Sequence, residues 1–391
     1  MLKKIHREGK ERHILSYSYM ALLKDCTKKK DLQQGTKLHA DIIKRGLLEK
    51  NPYLATTLIN MYAKCGVLAK AQQLHDEFDA KNVVSWNALI MGYAQHGQGH
   101  ESFSCFERML SEGFSPDAVT FTCILKACGN IQSAEKGIQI HYDVVCRGLL
   151  QKDIVLGTAL VDMYAKCGIL SKAQQVHDEL PVRDIISWSA LIGGYAQQRR
   201  VHEALDCFDR MKVEGISPNV VTFICILKSC SNTRVISKGK QIHNEILYRG
   251  LLEKEIVLGT ALIDMYAKSG LMKKAQKVHD ELSAHDVVSW SALISGYDQQ
   301  HQCYEALNCF EQMQGEGLSP DVVSFICILK ACGSMRSVEK GKLIYDKIVS
   351  RGLLKKDSVL GTALVNMYVE CGMLAKAKEV HSELQIQNVG S

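Results

Sequence analysis

Proline is scarce in this chain, five residues in 391, too few for the proline-rich composition of a disordered protein. No uninterrupted apolar run approaches the roughly 20 residues that a helix needs to cross a bilayer. The opening segment, MLKKIHREGKERHIL, has no apolar signal core, which argues against secretion. It is basic, but Glu8 and Glu11 interrupt it and serines come late, so it reads as a poor organelle transit peptide; one expectation is that the natural N-terminus precedes residue 1. None of the fifteen cysteines stands in C-x-x-C spacing with another, which removes the commonest zinc-ribbon and redox arrangements and points to a reducing intracellular compartment. No P-loop, G-x-S-x-G or dinucleotide fingerprint occurs. Charge excess is small: a formal +6 suits a polyanionic partner without requiring one.

What the chain does have is repetition. Its three tryptophans, Trp86, Trp188 and Trp290, stand 102 residues apart in VVSWNALIMGYAQ, IISWSALIGGYAQ and VVSWSALISGYDQ. The tetrapeptide RGLL begins at Arg45, Arg147, Arg249 and Arg351, at the same 102-residue interval. A length of 391 residues would otherwise suggest two or three domains, but fixed-period self-similarity points to a stacked array instead.

Each long unit divides into three helical pairs. Trp188, Leu191, Ile192 and Tyr195 fall at i, i+3, i+4 and i+7, one apolar helix face. A second helix follows with Ala204, Leu205, Phe208 and Met211 inward, stopped by Gly215 and Pro218. The next pair places Phe223, Ile226, Leu227 and Cys230 at the same four positions and ends at Gly250. The third runs from IVLGTALIDMYAKSG through KKAQKVHDEL, with Gly270 at its turn. No strand-like alternation competes. A lone hairpin cannot bury its apolar stripe, so neighbours must stack into a solenoid.

This repeat grammar resembles the pentatricopeptide repeat family, specifically the plant subclass that alternates P, L and S motifs of 35, 36 and 31 residues, whose sum is the observed 102. The resemblance implies an all-α, right-handed superhelical α-solenoid of tandem helix-turn-helix repeats. Its eleven motifs are L 16–51, S 52–82, P 83–117, L 118–153, S 154–184, P 185–219, L 220–255, S 256–286, P 287–321, L 322–357 and S 358–388. Residues 1–15 read as the remnant of an incomplete N-terminal repeat, and 389–391 as the start of a truncated P motif, which implies either a truncated gene product or a fragment. Trp86, Leu89 and Tyr93 are loosely similar to the tetratricopeptide opening W-x-x-L-G-x-x-Y, but the glycine is displaced and that family does not alternate repeat lengths this way.

The resemblance further implies one RNA base read per repeat by the fifth and last residues of each motif. These pair as Thr56 with Asn82, Asn87 with Asp117, Thr122 with Asp153, Thr158 with Asp184, and Ser189 with Asn219. Further on come Thr260 with Asp286, Ser291 with Asp321, and Thr362 with Asn388. In the family, Ser or Thr at the fifth position seeks a purine and Asn a pyrimidine; a last Asp favours G or U, a last Asn A or C. The implied target, 5′ to 3′, is A-U-(G)-G-A-x-G-G-x-A, with the Thr122 base bracketed because L motifs follow the code poorly. Met20, Ile224 and Ile326 occupy the fifth position of the other L motifs, and apolar side chains there leave a base unread. Glu255 also departs from the usual last Asp or Asn. The second residues, Val84, Val119, Val155, Ile186, Val221, Val257, Val288, Val323 and Val359, are base-clasping by resemblance; equally, they read as core at a helix start.

Two features look chemical. His-x-Glu occurs at His75, His177, His279 and His381, the first half of a zinc deaminase signature, but the P-C-x-x-C half is absent and the copies share one place late in each S motif. Cys26, Cys128, Cys230 and Cys332 take the i+7 apolar slot of the L helix and read as small core residues. Cys65, Cys167 and Cys371 precede a turn glycine, and the remaining copy has Ser269, which argues against a shared ligand role. No catalytic residue, metal or cofactor is therefore expected.

The leading expectation is sequence-specific binding of single-stranded RNA in a mitochondrion or chloroplast, without membrane association. By resemblance this serves site recognition for cytidine-to-uridine editing. Relatives usually carry C-terminal extension and deaminase domains, which are not read here, so a deaminase in trans is implied. Docking of multiple organellar RNA-editing factor proteins is implied for the L motifs. A second reading is transcript stabilisation, processing or splicing. A third is a protein-binding scaffold, against which the polar residues at both code positions argue, since a scaffold has no evident reason to repeat them.

Overall fold

The computed structural model describes residues 2–48, 51–78, 81–150, 153–231, 235–354 and 357–389, with side chains from residue 14 to 382. Among the described residues there are only helices, without a strand. They fall in two compact units divided after Gln198. The first unit holds α1 (Leu2–Lys29), α2 (Leu32–Lys44), α3 (Pro52–Lys64), α4 (Leu68–Glu77), α5 (Val83–Gln95) and α6 (Gly99–Ser111). It continues with α7 (Ala118–Asn130), α8 (Ala134–Cys146), α9 (Ile154–Lys166), α10 (Leu170–Glu179) and α11 (Ile185–Gln197). The second unit holds α12 (Val201–Val213), α13 (Val220–Ser231), α14 (Ile236–Tyr248), α15 (Ile256–Lys268), α16 (Met272–Asp280) and α17 (Val287–Gln299). Its last helices are α18 (Cys303–Gly315), α19 (Val322–Ser334), α20 (Val338–Ser350), α21 (Ser358–Glu370) and α22 (Leu374–Val389). α1 runs unbroken through residues 15 and 16, where the motif partition makes its first division.

The helices pair as the apolar spacing implies. Trp188, Leu191, Ile192 and Tyr195 on α11 are buried, as are Phe223, Ile226, Leu227 and Cys230 on α13. On α12, Ala204, Phe208 and Met211 are buried; Leu205 is only half-buried, and Cys207 takes the inward place beside Phe208. The turn after α15 closes on Gly270 at φ 73°, and α12 ends on Gly215 at φ 77°, a region L side chains avoid.

Within each unit the first helices of successive hairpins pack directly on one another: α1, α3, α5, α7, α9 and α11 in the first, α13, α15, α17, α19 and α21 in the second. Close approach is built from small residues. A Cβ added to Gly92 or Gly194 would lie 2.7 Å from the Cβ of Ala63 or Ala165. The RGLL arginines also have a packing role. The guanidinium of Arg147 lies 5.4 Å from the Phe121 ring centroid, with 5.3 Å for Arg249 and Phe223 and 5.5 Å for Arg351 and Phe325. Each clamps the loop after a hairpin onto the first helix of that hairpin by a cation–π contact.

The histidines of the His-x-Glu segments are packing residues as well. His75, His177 and His279 are buried against Trp86, Trp188 and Trp290, with ring centroids 4.2, 4.2 and 4.1 Å apart. Burial pushes the His75 and His279 imidazoles down to about 4. The glutamates face the other way, Glu77 accepting from Gln73 at 2.6 Å and Glu179 from Gln175 at 2.9 Å. The side chain of Glu383, in the fourth copy, lies outside the described residues. Cysteine behaves alike: burial pushes the thiols of Cys105, Cys123, Cys128, Cys309 and Cys332 up to about 12, which keeps them protonated and apolar in character.

Candidate nucleic-acid interface

A first helix needs partners for its unpaired backbone N–H groups, and in most of the hairpins the residue just before it provides one. Asn82 Oδ1 accepts from the Ser85 amide at 2.9 Å, while Ser85 Oγ accepts from the Asn82 amide at 3.1 Å. Asp117, Asp184, Asp286 and Asp321 each accept from the amide three residues on at 2.8 Å. Asn219 does so at 2.9 Å, and Asp153 and Asp357 at 3.1 Å. Glu255 makes no side-chain cap, its extra methylene placing the carboxylate too far out. The last residue of a motif is thus the N-cap of the next hairpin. The repetition of Asp and Asn at these sites therefore does not by itself count against a protein-binding scaffold, because Asp, Asn, Ser and Thr all cap helices.

Capping uses only half of each side chain. In all of these caps the helix takes Oδ1, and no hydrogen bond from the described residues engages the second atom, Oδ2 of the aspartates or Nδ2 of Asn82 and Asn219. In an asparagine cap the N–H must meet oxygen, so the amide nitrogen is necessarily the outward atom.

The fifth residues lie one turn into the same helices. Asn87 donates from Nδ2 to Asp117 Oδ1 at 3.1 Å and accepts at Oδ1 from Thr120 Oγ1 at 2.7 Å. Ser291 donates to Asp321 Oδ1 at 3.0 Å. The structure therefore joins the predicted pairs Asn87–Asp117 and Ser291–Asp321 directly. No hydrogen bond links Thr56 to Asn82, Thr158 to Asp184, or Thr260 to Asp286. Thr56, Thr122, Thr260 and Thr362 instead donate back to the carbonyl four residues earlier, at 2.9, 2.8, 3.3 and 3.0 Å. Thr158 Oγ1 is buried and unpartnered. Ser189 is buried near the middle of the chain, and the Asn388 side chain lies outside the described residues. Burial alone would raise the Asp117 carboxyl, but hydrogen bonds from Thr120 and Asn87 hold it below its ordinary value, fixing an anion here.

The second residues depart from the core reading. From Val323 at 50% exposed to Val155 at 65%, all nine branched side chains stand out of the surface, so none is core. Tyr17 and Tyr53 occupy the same second position in the first two motifs and are also exposed. Sequence reasoning missed them by looking for branched aliphatics, although register alone marks the position.

These elements share an opening. A depression of about 330 Å³ across α3, α5 and α7 is lined by Thr56, Asn87, Val84 and Val119, with Lys24 from α1. A second, of about 650 Å³, lies between Tyr17 and Tyr53 and is lined by Met20, Lys24 and Asn51. Branched or aromatic side chains thus flank depressions that Thr56, Asn87 and Asn51 also line, a geometry suited to flat rings.

Comparison with known proteins gives matches to two family descriptions. "PPR repeat family" covers residues 81–130, 183–232 and 285–334, and "PPR repeat" covers 54–83, 260–287 and 362–389. A mitochondrial pentatricopeptide repeat-containing protein of Arabidopsis thaliana is 36% identical over 354 residues, 90% of this chain and 34% of that one. A chloroplastic relative from the same plant is 32% identical over 95% of this chain and 60% of its own length. Another mitochondrial relative is 30% identical over 96% of this chain and 67% of itself. The chain thus spans from a third to two thirds of the length of these relatives. Among solved structures, the pentatricopeptide repeat protein PPR10 in complex with an 18-nt psaJ RNA element is similar at a TM-score of 0.65, with 18% identity, over 96% of this chain and 61% of that one. The likeness is one of fold.

Proposed function

Because this chain belongs to the pentatricopeptide repeat family, we propose that it binds single-stranded RNA in a sequence-specific manner, one base per hairpin. The observation that supports the reading is the divided use of the cap residue: one oxygen holds the helix, and no hydrogen bond from the described residues engages the second atom, on the same first helices whose second residues stand exposed. The chemistry of that second atom supplies the code. Asp Oδ2 is an acceptor and complements the ring N–H of G or U. Asn Nδ2 is a donor and complements the ring nitrogen acceptor of A or C. Capping tolerates either residue, so the choice between them is free to carry sequence information.

On the motif register given above, the target is A-U-(G)-G-A-x-G-G-x-A. We read the biological role as recognition of an organellar cytidine-to-uridine editing site, the deaminase being supplied in trans; curated relatives include mitochondrial and chloroplastic proteins. Docking of an RNA-editing factor protein finds its best support at α8, where Ile138, Tyr142 and Val145 expose an apolar stripe at i, i+4 and i+7. The corresponding residues of α20 are Lys342, Asp346 and Val349.

The test is binding of the predicted RNA, a scrambled RNA and the matching DNA across a salt series. Equal affinity for predicted and scrambled RNA overturns the readout. Asn219→Asp is the sharper probe, because aspartate caps α13 as well as asparagine does. It should move the preferred fifth base of the target from A to G while leaving thermal stability within about 0.5 kcal/mol. An unchanged preference refutes the code for this chain.

A further inference from the structure

We propose that the L hairpins grip the RNA phosphate backbone through one lysine each, Lys24, Lys126, Lys228 and Lys330, in place of the base reading that their fifth residues largely forgo. The proposal rests on the RNA-binding reading above. These lysines stand 102 residues apart, each four residues beyond the fifth position, so they lie on the same helix face one turn further along. Lys24 shows where that face leads, since it lines both the opening with Thr56 and Asn87 and the one with Tyr53 and Asn51.

No basic residue takes the corresponding place in the other hairpins. The S motifs have Asn60, Asp162, Asp264 and Asn366 there, and the P motifs Met91, Gly193 and Ser295. A general need for solubility would scatter lysines over all three motif types. The cation recurs only where Met20, Ile224 and Ile326 leave a base unread, with Thr122 the one polar exception.

Ion pairing separates these lysines from Lys166 and Lys268 of the S motifs, though not from Lys64, which has Asn60 four residues before it and no carboxylate within 4.0 Å among the described residues. Lys166 is bound to Asp162 at 2.7 Å and Lys268 to Asp264 at 2.8 Å, so both are neutralised within their own helices. Lys24, Lys126 and Lys228 have no carboxylate within 4.0 Å among the described residues; Lys330 has Asp298 at 3.7 Å. Lys24, Lys228 and Lys330 are exposed and Lys126 is half-buried. A flexible point charge beside a base-reading opening suits phosphate oxygens, which carry no sequence and set register and affinity. The result is one backbone anchor for every three bases.

The experiment compares the full chain with the triple variant Lys24→Gln, Lys126→Gln, Lys228→Gln, using the predicted and a scrambled RNA over a salt series. Each phosphate contact contributes about 0.7 to the slope of log affinity against log salt for a single strand, so the slope should shrink by about 2. The ratio of predicted to scrambled affinity should stay unchanged. A matched triple variant to arginine should restore the slope, and Lys166→Gln with Lys268→Gln should leave it at the wild-type value. Lys330→Gln should have a smaller effect than Lys228→Gln, since Asp298 already offsets its charge. If the glutamine triple binds RNA with the wild-type slope, the lysine assignment is wrong while the base-reading proposal stands. If the unaltered chain binds no single-stranded RNA, both fall.

Discussion

Two hydrogen-bonding atoms on one small side chain carry much of the chemistry at the residue scale. Asp117 commits one oxygen to the Thr120 amide and to Asn87 and leaves the other without a hydrogen bond from the described residues, so that on the proposed reading a folding requirement and a binding surface share a residue without competing. Another residue-scale pattern yields a stability prediction. His39, His141 and His243 bond through Nδ1 to the hydroxyls of Tyr62, Tyr164 and Tyr266 at 2.9, 2.8 and 2.8 Å. In the fourth copy Tyr345 stands where the histidine would be, and the hydroxyl of Tyr368 is buried without a partner. Tyr345→His should restore the bond and stabilise the protein by about 1 kcal/mol, read as a raised urea midpoint. A midpoint equal to or below that of the parent would show that ring packing outweighs the bond. The family resemblance paired Asn87 with Asp117, but neither the bond between them nor this gap was legible in the sequence itself, because both depend on stacking that joins residues more than twenty positions apart. The exposure of Val84 and its equivalents was equally hidden: a branched residue at a helix start looks the same whether it faces core or solvent.

Single helices were the most legible feature. The spacing of Trp188, Leu191, Ile192 and Tyr195 specifies one buried face because only a period near 3.6 brings four apolar residues together, and those four are buried. Less visible was the depth of contact between neighbouring first helices. Gly194 on α11 faces α9 so closely that a Cβ would meet the Cβ of Ala165 at 2.7 Å and its Cα at 3.2 Å. Gly194→Ala gains about 1 kcal/mol in helix propensity. It loses more, because backbone on the facing helix cannot yield as a side chain does, and the net cost should be about 1–2 kcal/mol. Adding Ala165→Gly should recover part of that loss; strict additivity in the double-mutant cycle would mean the two helices are not in contact there.

For the molecule as a whole, buried histidine sets the response to acid. His75 and His279 sit near 4 when folded and near 6.5 when unfolded, and burial also pushes His39, His141 and His243 down. The unfolded chain therefore binds more protons between these values, so stability is complete above about pH 6.5 and falls as pH drops towards 4. Urea midpoints taken from pH 7.5 to 4.5 should decline steadily, and a flat profile would contradict the burial of these rings. The divided cap has a consequence on a longer timescale. Asn and Asp codons differ by one A-to-G transition, and either residue holds its helix. If these caps read bases as proposed, a lineage could rewrite the addressed sequence one letter at a time without passing through an unstable protein, so a repeat array of this kind is open to drift and selection wherever its targets shift.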